Sequence, residues 1–364
     1  MRVAVVIASN LYMAPYARYY TEILEKLGVQ YDIISWNQLG VEEAGVQAFN
    51  LKSGETKRVF CRIIDCIRYQ RFVKSKLVKG SYDKVIIFAI LNTLLLFPFL
   101  KKRYKNNYVF DIRDYSAALK YFSRARFSAA IKNAAFVVIS SAGFKRWLPK
   151  DNTYVIQHNT NITMPLDMLA NIEGQTTYKI LTIGSLRDFE ANRALIKQLG
   201  NSPMFELEYI GSSPVGLLLK DFVTSNGITN VKFLGRYAIL PLRSGLKEDE
   251  AKYLQGVSFI NILTDEGLNS MTLMTNRFYL SVVYGVPMMV SENTEQARWV
   301  KKYHLGVVIN KETDIKEQIM QYLRAFDREK YNAGRKACLQ IIQQDVDEFE
   351  GRVKEFLVGI QETL

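Results

Sequence analysis

The chain has two histidines, His158 and His304, and three cysteines, Cys61, Cys66 and Cys338. None stands at the CxxC or HxxxH spacing that a zinc cage requires, so that chemistry is excluded. The odd, scattered cysteines argue against a disulfide framework and point to a reducing compartment. Asp345-Val346-Asp347 has the form of a metal-binding DxD pair. It lies in a charged helical stretch near the C-terminus, away from any mid-domain strand end, and reads as surface. A dinucleotide fingerprint needs GxGxxG directly after a strand, so that backbone can approach a pyrophosphate. Here Ser9 to Pro15 contains no glycine, and the corresponding loop of the second half carries the single Gly184. GxxxxGK[ST] is also missing, which leaves no basis for nicotinamide or P-loop chemistry. His158, beside Asn159, reads as a linker residue contacting a cleft or backbone, and His304 as a solvated helix end.

The elements around these residues alternate between strand and helix, twice over. In the first half, strands are expected at Val3–Ala8, Tyr31–Ile34, Lys84–Ala89, Tyr108–Asp111, Phe136–Ser140 and Tyr154–Ile156, with a helix through Tyr16–Leu27. The pattern weakens between Asn159 and Gly174, around Pro165, a candidate hinge. A second series follows at Lys179–Ile183, Phe205–Ile210, Val231–Leu234, Val257–Ile262, Pro287–Val290 and Val307–Ile309. Strands separated by helices predict parallel sheets covered on both faces, an α/β protein with two doubly wound Rossmann-like domains facing a cleft. With 364 residues the chain is long enough for both. The expected boundaries are 1–160 and 175–344, with a C-terminal helix at about 345–364 that packs back on the first domain.

Charge is uneven. Residues 1–160 hold 25 Lys and Arg against 11 Asp and Glu, whereas the rest holds 23 against 25, so the first domain carries all of the formal +12. A basic domain faces nucleic acid, anionic lipid or a phosphorylated substrate. The densest stretch, Lys57 to Lys84, has nine basic and two acidic residues, with Phe60, Ile63, Ile64 and Ile67 at helical spacing. Such a helix suits an anionic membrane surface, or is a surface helix with one face in the core. The basic residues do not interleave with a recognised nucleic-acid module, so no nucleic-acid partner is expected. The apolar run Val85–Leu100 is interrupted by Asn92, Thr93 and Pro98, and at 16 residues it falls short of the ~20 a membrane span needs. Met1 opens directly onto a strand with no signal-peptide pattern, so a cytoplasmic protein is expected, peripheral on the inner membrane if it meets one.

Asn276-Arg277-Phe278-Tyr279 followed by Gly285-Val286-Pro287 and Val290 resembles a segment of GT-B nucleotide-sugar glycosyltransferases, close to the large retaining family numbered four. Ile183-Gly184-Ser185-Leu186-Arg187 with Asn192, Tyr209-Ile210-Gly211, and Val231 through Gly235-Arg236-Tyr237 support it. In the first half, Ala14-Pro15-Tyr16 with Tyr20, Ile33-Ile34-Ser35-Trp36, Asp111-Ile112-Arg113-Asp114-Tyr115, Ile139-Ser140-Ser141 and Trp147-Leu148-Pro149 resemble members that build capsular or exopolysaccharide.

That resemblance implies a nucleotide-diphosphate sugar as substrate and no cofactor or metal. Cations and backbone N–H groups would stabilise the diphosphate leaving group. On this reading Arg187 and Arg277 supply the charge, Asp114 contacts the transferred sugar, and Gly184 and Ser185 form the phosphate loop. Gly235, Arg236 and Tyr237 meet the base, Asn276 and Tyr279 complete the donor side, and Asn10, Tyr12 and Tyr16 meet the acceptor. The acceptor would be a growing saccharide, including one carried on polyprenyl diphosphate. Retaining members are thought to react by front-side attack, without a protein nucleophile, which suits a chain so poor in histidine. One position departs: relatives hold the ribose with an E-x7-E pair, and here those places are Thr272 and Leu280. Two other readings stand beside this one, a nucleotide-sugar 2-epimerase of the same fold and a non-catalytic binding subunit of a polymer-assembly complex.

Overall fold

Apolar runs of four to eight residues, rich in Val and Ile, become strands buried on both faces, as parallel sheets require. The computed structural model describes residues 1–52, 59–160, 164–170, 172–235 and 248–359. Two compact units are present: residues Met1–Gln157 with Asp345–Leu364, and His158–Gln344. In the first, strands β1 (Arg2–Ile7), β2 (Gln30–Asn37), β3 (Val46–Asn50), β4 (Lys84–Phe88), β5 (Tyr108–Ile112), β6 (Phe136–Ile139) and β7 (Val155–Ile156) form one sheet. All pairings are parallel, in the order β3-β2-β1-β4-β5-β6-β7. In the second, β8 (Tyr178–Ile183), β9 (Phe205–Ile210), β10 (Val231–Phe233), β11 (Phe259–Ile262), β12 (Met288–Ser291) and β13 (Gly306–Ile309) pair in the order β10-β9-β8-β11-β12-β13, again all parallel. Both are doubly wound α/β sheets, as the sequence pattern predicts. Strand order reverses between β1 and β4 in one sheet and between β8 and β11 in the other, and such switch points open a crevice at the strand carboxyl ends.

The helices of the first unit are α1 (Arg18–Lys26), α2 (Val59–Lys79), α3 (Ile90–Arg103) and α4 (Arg124–Lys132). Those of the second are α5 (Phe189–Leu199), α6 (Pro214–Ser225), α7 (Glu248–Leu254), α8 (Leu268–Thr272), α9 (Asn276–Tyr284), α10 (Glu295–Tyr303) and α11 (Ile315–Arg324). The last helix, α12 (Arg328–Val358), begins among the residues of the second unit and ends among those of the first. No helix among the described residues is long and apolar enough to cross a membrane.

Two elements differ from expectation. Strand β3 is absent from the sequence reading because its residues are half-buried at a sheet edge, without the strong apolar run of an inner strand. Helix α2 forms, but its core face is Tyr69, Val73 and Leu77, at i, i+4, i+8. Tyr69 donates to the Ile7 carbonyl at 2.6 Å and stacks on Trp36 at 5.2 Å. Ile63 and Ile67, members of the apolar stripe read from the sequence, are exposed at 53% and 43%, on a helix that also exposes Arg68, Arg71, Lys74 and Val78.

The core of the first unit is closed by the end of the chain. Phe349, Val353, Phe356 and Leu357 of α12 join the cluster built on Val3, Val5, Tyr20 and Phe88. Phe349 sits edge-on to Tyr20 at 5.0 Å, and Phe356 edge-on to Phe136 at 5.9 Å. Truncating a fully buried Phe costs about 3–5 kcal/mol. Phe349→Ala should therefore lower the denaturant midpoint of the first unit, read by fluorescence or circular dichroism; an unchanged midpoint would show that α12 contributes nothing to this core.

Candidate functional site

In the second unit, the carboxyl ends of β8 and β11 bring several of the sequence-predicted residues together. The chain leaves β8 through Gly184, whose φ of +99° suits glycine, and a Cβ there would meet nothing within 4 Å. The backbone of this residue faces open space. Leu186 is buried and anchors the loop, its carbonyl accepting from the Ser213 hydroxyl at 2.5 Å. Ser185 and Arg187 are exposed, and the Arg187 Nε donates to the Ser185 Oγ at 3.3 Å.

Below the loop lies a buried amide pair. Asn192 of α5 donates from Nδ2 to the carbonyls of Arg187 and Asp188, at 2.9 and 2.8 Å. Its Oδ1 accepts from the Nδ2 of Asn261, which also donates to the Thr182 hydroxyl at 2.8 Å. The Asn261 main-chain carbonyl in turn accepts from Arg277 Nη1 at 2.8 Å. Arg277 stands in the first turn of α9, where Thr275 caps the helix by accepting from the Phe278 N–H. Burial pulls the Arg277 guanidinium below the ordinary arginine range; the Asp188 carboxylate opposes this and the charge of Arg187 reinforces it. Two cations therefore share one field at the switch point of the sheet, beside a helix N-terminus, an arrangement suited to a polyanion.

Asp188 and Asp265 complete the local frame, and neither was singled out from sequence. Asp188 takes a left-handed backbone (φ +59°), and its carboxylate accepts from the Asp265 N–H at 3.0 Å. The Asp265 carboxylate accepts from the N–H groups of Ala191 and Glu190, at 2.7 and 3.3 Å, and so caps α5. The α5 N-terminus is thus satisfied by this chain itself. The signal that could have revealed this frame is a polar residue, Asn261, inside the otherwise apolar Phe-Ile-Asn-Ile strand.

Other expected donor-side residues are placed differently. Tyr279 is turned into the core, with its hydroxyl 2.9 Å from His158 Nδ1 and Trp299 packed on that imidazole. Tyr279, expected on the donor side, lies on the inward face of α9 with His158 as its buried partner. Asn276 is exposed at the start of α9. Gly235, with φ +81°, follows β10, and its carbonyl accepts from the Gly211 N–H at 2.7 Å, next to the Gly184 turn. Arg236 and Tyr237 lie outside the described residues. Thr272 spends its hydroxyl on the Leu268 carbonyl at 2.7 Å, and Leu280 is half-buried. Among the described residues, no group of three His, Cys, Asp or Glu side chains could hold a metal ion.

In the first unit a buried cluster forms at the carboxyl end of β5. Arg113 forks onto Asp111, Nε to Oδ1 and Nη2 to Oδ2 at 2.6 Å each, and both residues are buried. Residues two apart at a strand end point the same way, which is why position 111 is met. Tyr20 donates to Asp111 Oδ2 at 2.7 Å, and Arg113 also donates to the Gln157 carbonyl at 3.0 Å. Tyr16 lies under the Arg113 guanidinium at 4.9 Å, and burial pushes its hydroxyl pKa up to about 12. Asp114 is exposed just beyond, as is Tyr12. Asn10, expected at the acceptor, is buried with its amide committed to structure. Its Oδ1 accepts from the N–H groups of Gln38 and Leu39, and its Nδ2 donates to Asn37 Oδ1 at 3.0 Å. The Glu43 carboxylate accepts from the N–H groups of Leu11 and Tyr12 at 2.8 Å each.

Searches against family models and against curated proteins find no match. Solved structures do match over nearly the whole chain. Sucrose-phosphate synthase from Thermosynechococcus elongatus is 13% identical, with a TM-score of 0.68 over 98% of this chain and 99% of that one. HepE from Anabaena, in complex with UDP and glucose, is 12% identical with a TM-score of 0.62 over 98% and 99%. A putative UDP-N-acetylglucosamine 2-epimerase from Listeria monocytogenes is 12% identical with a TM-score of 0.59 over 98% and 96%. The chain therefore has the GT-B fold.

Two outcomes follow from these geometries. Removing one member of a buried ion pair costs about 3–5 kcal/mol, so Asp111→Ala should destabilise the first unit strongly in chemical denaturation; a loss below 1 kcal/mol would show Arg113 finding other compensation. Burial holds the Asp188 carboxyl above the ordinary carboxylate range, outweighing the Asp265 amide and the charge of Arg277. A raised carboxyl pKa gives stability that is complete below the unfolded value of ~4 and is lost as pH rises through the folded one. Asp188→Asn keeps the acceptor oxygen and escapes that loss, so its melting temperature relative to wild type should climb between pH 4 and 7; a difference that stays flat with pH contradicts the assignment.

Proposed function

We propose that the chain is a glycosyltransferase that takes a sugar from a nucleoside diphosphate donor bound at the β8–β11 switch point. The observation that carries this reading is the convergence of Arg187, Arg277 and the open Gly184 turn there. As the glycosidic bond breaks, negative charge collects on the diphosphate. Arg187, on a loop fixed from below by Asn192, and Arg277, fixed by the Asn261 carbonyl, stabilise that charge without moving. Removing one such preorganised donor typically costs 10²–10³ in rate. Arg277 offers a planar fork for phosphate oxygens where the resembled family has Lys. Ser185 and Asn276 flank the phosphates, and Gly235 with Arg236 and Tyr237 is assigned to the base. With Tyr279 facing His158, and Leu280 and Thr272 in place of carboxylates, the ribose is held by other contacts.

The acceptor is assigned to the first unit, through Tyr12, Tyr16 and Asp114, as a growing saccharide of capsular or exopolysaccharide synthesis, including one linked to polyprenyl diphosphate. Transfer proceeds with retention and without a metal, the leaving phosphate assisting deprotonation of the acceptor hydroxyl. The resemblance to family four and the scarcity of histidine support this. The binding of UDP and glucose by HepE supports the donor class. The epimerase relative shares the fold, and the need of that reaction for cleft carboxylates and histidine counts against it here. A non-catalytic binding subunit is favoured by one observation, the hydrophobic Leu280 where relatives hold the ribose. The protein is placed in the cytoplasm, peripheral on the inner membrane through α2, whose exposed Ile63, Ile67 and Val78 accompany exposed basic residues.

A thermal-shift panel with UDP, GDP, CMP, TDP and ADP tests the donor site. A ligand at 100 times its dissociation constant adds about 2.7 kcal/mol. One nucleoside diphosphate should raise the midpoint, and Arg187→Ala or Arg277→Ala should remove the shift; no shift with any of them refutes the site. Binding without turnover of a donor sugar in the presence of saccharide acceptors selects the non-catalytic reading. Sedimentation with anionic vesicles at low salt should carry the protein down, less so at 0.5 M salt and less for Ile63→Asp/Ile67→Asp; no sedimentation at low salt removes the membrane assignment.

A further inference from the structure

In the first unit, the loop after β1 (residues 8–17) is tied to the loop between β2 and β3 (residues 38–45) by hydrogen bonds in both directions. From the first loop, the Asn10 amide accepts from the Gln38 and Leu39 N–H groups at 3.0 and 3.2 Å and donates to Asn37 Oδ1 at 3.0 Å. Asn37 Oδ1 also accepts from the Gly40 and Val41 N–H groups, at 2.9 and 3.1 Å, and the Gln38 amide donates to the Ala8 carbonyl at 3.1 Å. From the second loop comes the half-buried Glu43. Its Oε2 accepts from the Leu11 N–H at 2.8 Å and from Asn10 Nδ2 at 3.3 Å, and its Oε1 accepts from the Tyr12 N–H at 2.8 Å. Hydrogen bonds to an ionised carboxylate are roughly twice as strong as neutral ones. The N–H groups of Leu11 and Tyr12 are therefore held by the chain's own carboxylate. Loops fixed in this way are set before a ligand arrives, which lowers the ordering cost of binding. What they present to solvent is apolar: Tyr12, Met13, Leu39 and Val41 are exposed at 53, 52, 46 and 49%. Large apolar side chains held out into water by a polar network are the mark of an interaction surface.

We propose that Glu43 is a positioning residue of the acceptor site, fixing the main chain at Leu11 and Tyr12 so that the Tyr12 ring stands ready for the apolar face of an acceptor sugar. Glu43 acts through Tyr12, its own carboxylate being spent on the loop. The assignment rests on the reading that places the acceptor in the first unit.

Transfer assays with the full chain test it, with UDP-glucose, UDP-galactose or UDP-N-acetylglucosamine as donor and the octyl glycosides of the same three sugars as acceptors. Glu43→Gln sets an NH2 group against one of the two main-chain N–H groups and so releases that part of the loop. The acceptor KM should rise about tenfold, with kcat and the donor KM within about twofold of wild type, the pattern of lost binding rather than lost chemistry. Tyr12→Ala should raise the acceptor KM by a similar factor, and the double variant by no more than either alone, because the two residues act as one. Hydrogen exchange over residues 8–17 should quicken in Glu43→Gln while the rest of the first unit exchanges as in wild type, which reports that the variant is folded. Unchanged exchange over residues 8–17, an unaltered acceptor KM, losses that multiply in the double variant, or a loss falling equally on kcat and the donor KM would overturn the role of Glu43 alone. No acceptor-dependent transfer by the wild-type chain would overturn the transferase reading and this role with it.

Discussion

The hydrogen bond between the side-chain amides of Asn192 and Asn261 is the constraint on which the second unit's loop geometry rests. Both side chains are buried, where each unmade hydrogen bond costs about 1–3 kcal/mol. One amide holds the Arg187 and Asp188 carbonyls of the loop after β8; the other holds Thr182 and the main chain at Leu263, and the main-chain carbonyl of that same Asn261 holds Arg277. The positions of the two cations are therefore set by neutral groups beneath them, in a low-dielectric interior where such bonds are strong and directional. A site built this way holds positive charge in place before any anion arrives, which is the condition for stabilising charge that develops during a reaction.

The two sheets treat charge at their carboxyl ends in opposite ways. In the first unit Arg113 is neutralised in place by Asp111, with Tyr20 adding a third hydrogen bond. Burial and the neighbouring carboxylate push the Tyr20 hydroxyl well above its usual range, so it remains a donor. This cluster is structural. Much of the positive excess of residues 1–160 is carried on exposed helix surfaces, on α2 and at Lys101, Lys102 and Arg103, where α3 ends. In the second unit, by contrast, Arg277 donates to a carbonyl and Arg187 to a hydroxyl, and the Asp188 carboxylate acts on them through space.

Much of this was legible in the chain. Inner strands such as Val3–Ile7 and Lys84–Phe88 are short, β-branched and flanked by helix signals, and parallel packing leaves such runs few alternatives. The half-buried edge strand Val46–Asn50 was not legible, because an edge position leaves no apolar signature. The buried face of α2, Tyr69, Val73 and Leu77, was not legible, because Ile63, Ile64 and Ile67 form the more apolar stripe. A tyrosine with a buried hydroxyl to satisfy is a poor sequence marker of core. Gly184, Arg187 and Arg277 stand out in the sequence through pattern and resemblance. Asp188, Asn261 and Asp265 do not, because their roles come from hydrogen bonds between segments 69 to 77 residues apart in sequence. Asp111, two residues before Arg113, could have been found from strand alternation alone.

Hydrogen exchange of the full chain with and without UDP, read by mass spectrometry, addresses the central claim most directly, because it reports where a nucleotide is bound rather than that it is bound. The account predicts slowed exchange in the peptides spanning 184–192 and 275–280 when UDP is present, with the loop after β1 unaffected. Unchanged exchange in both second-unit loops, or protection confined to the first unit, would contradict it.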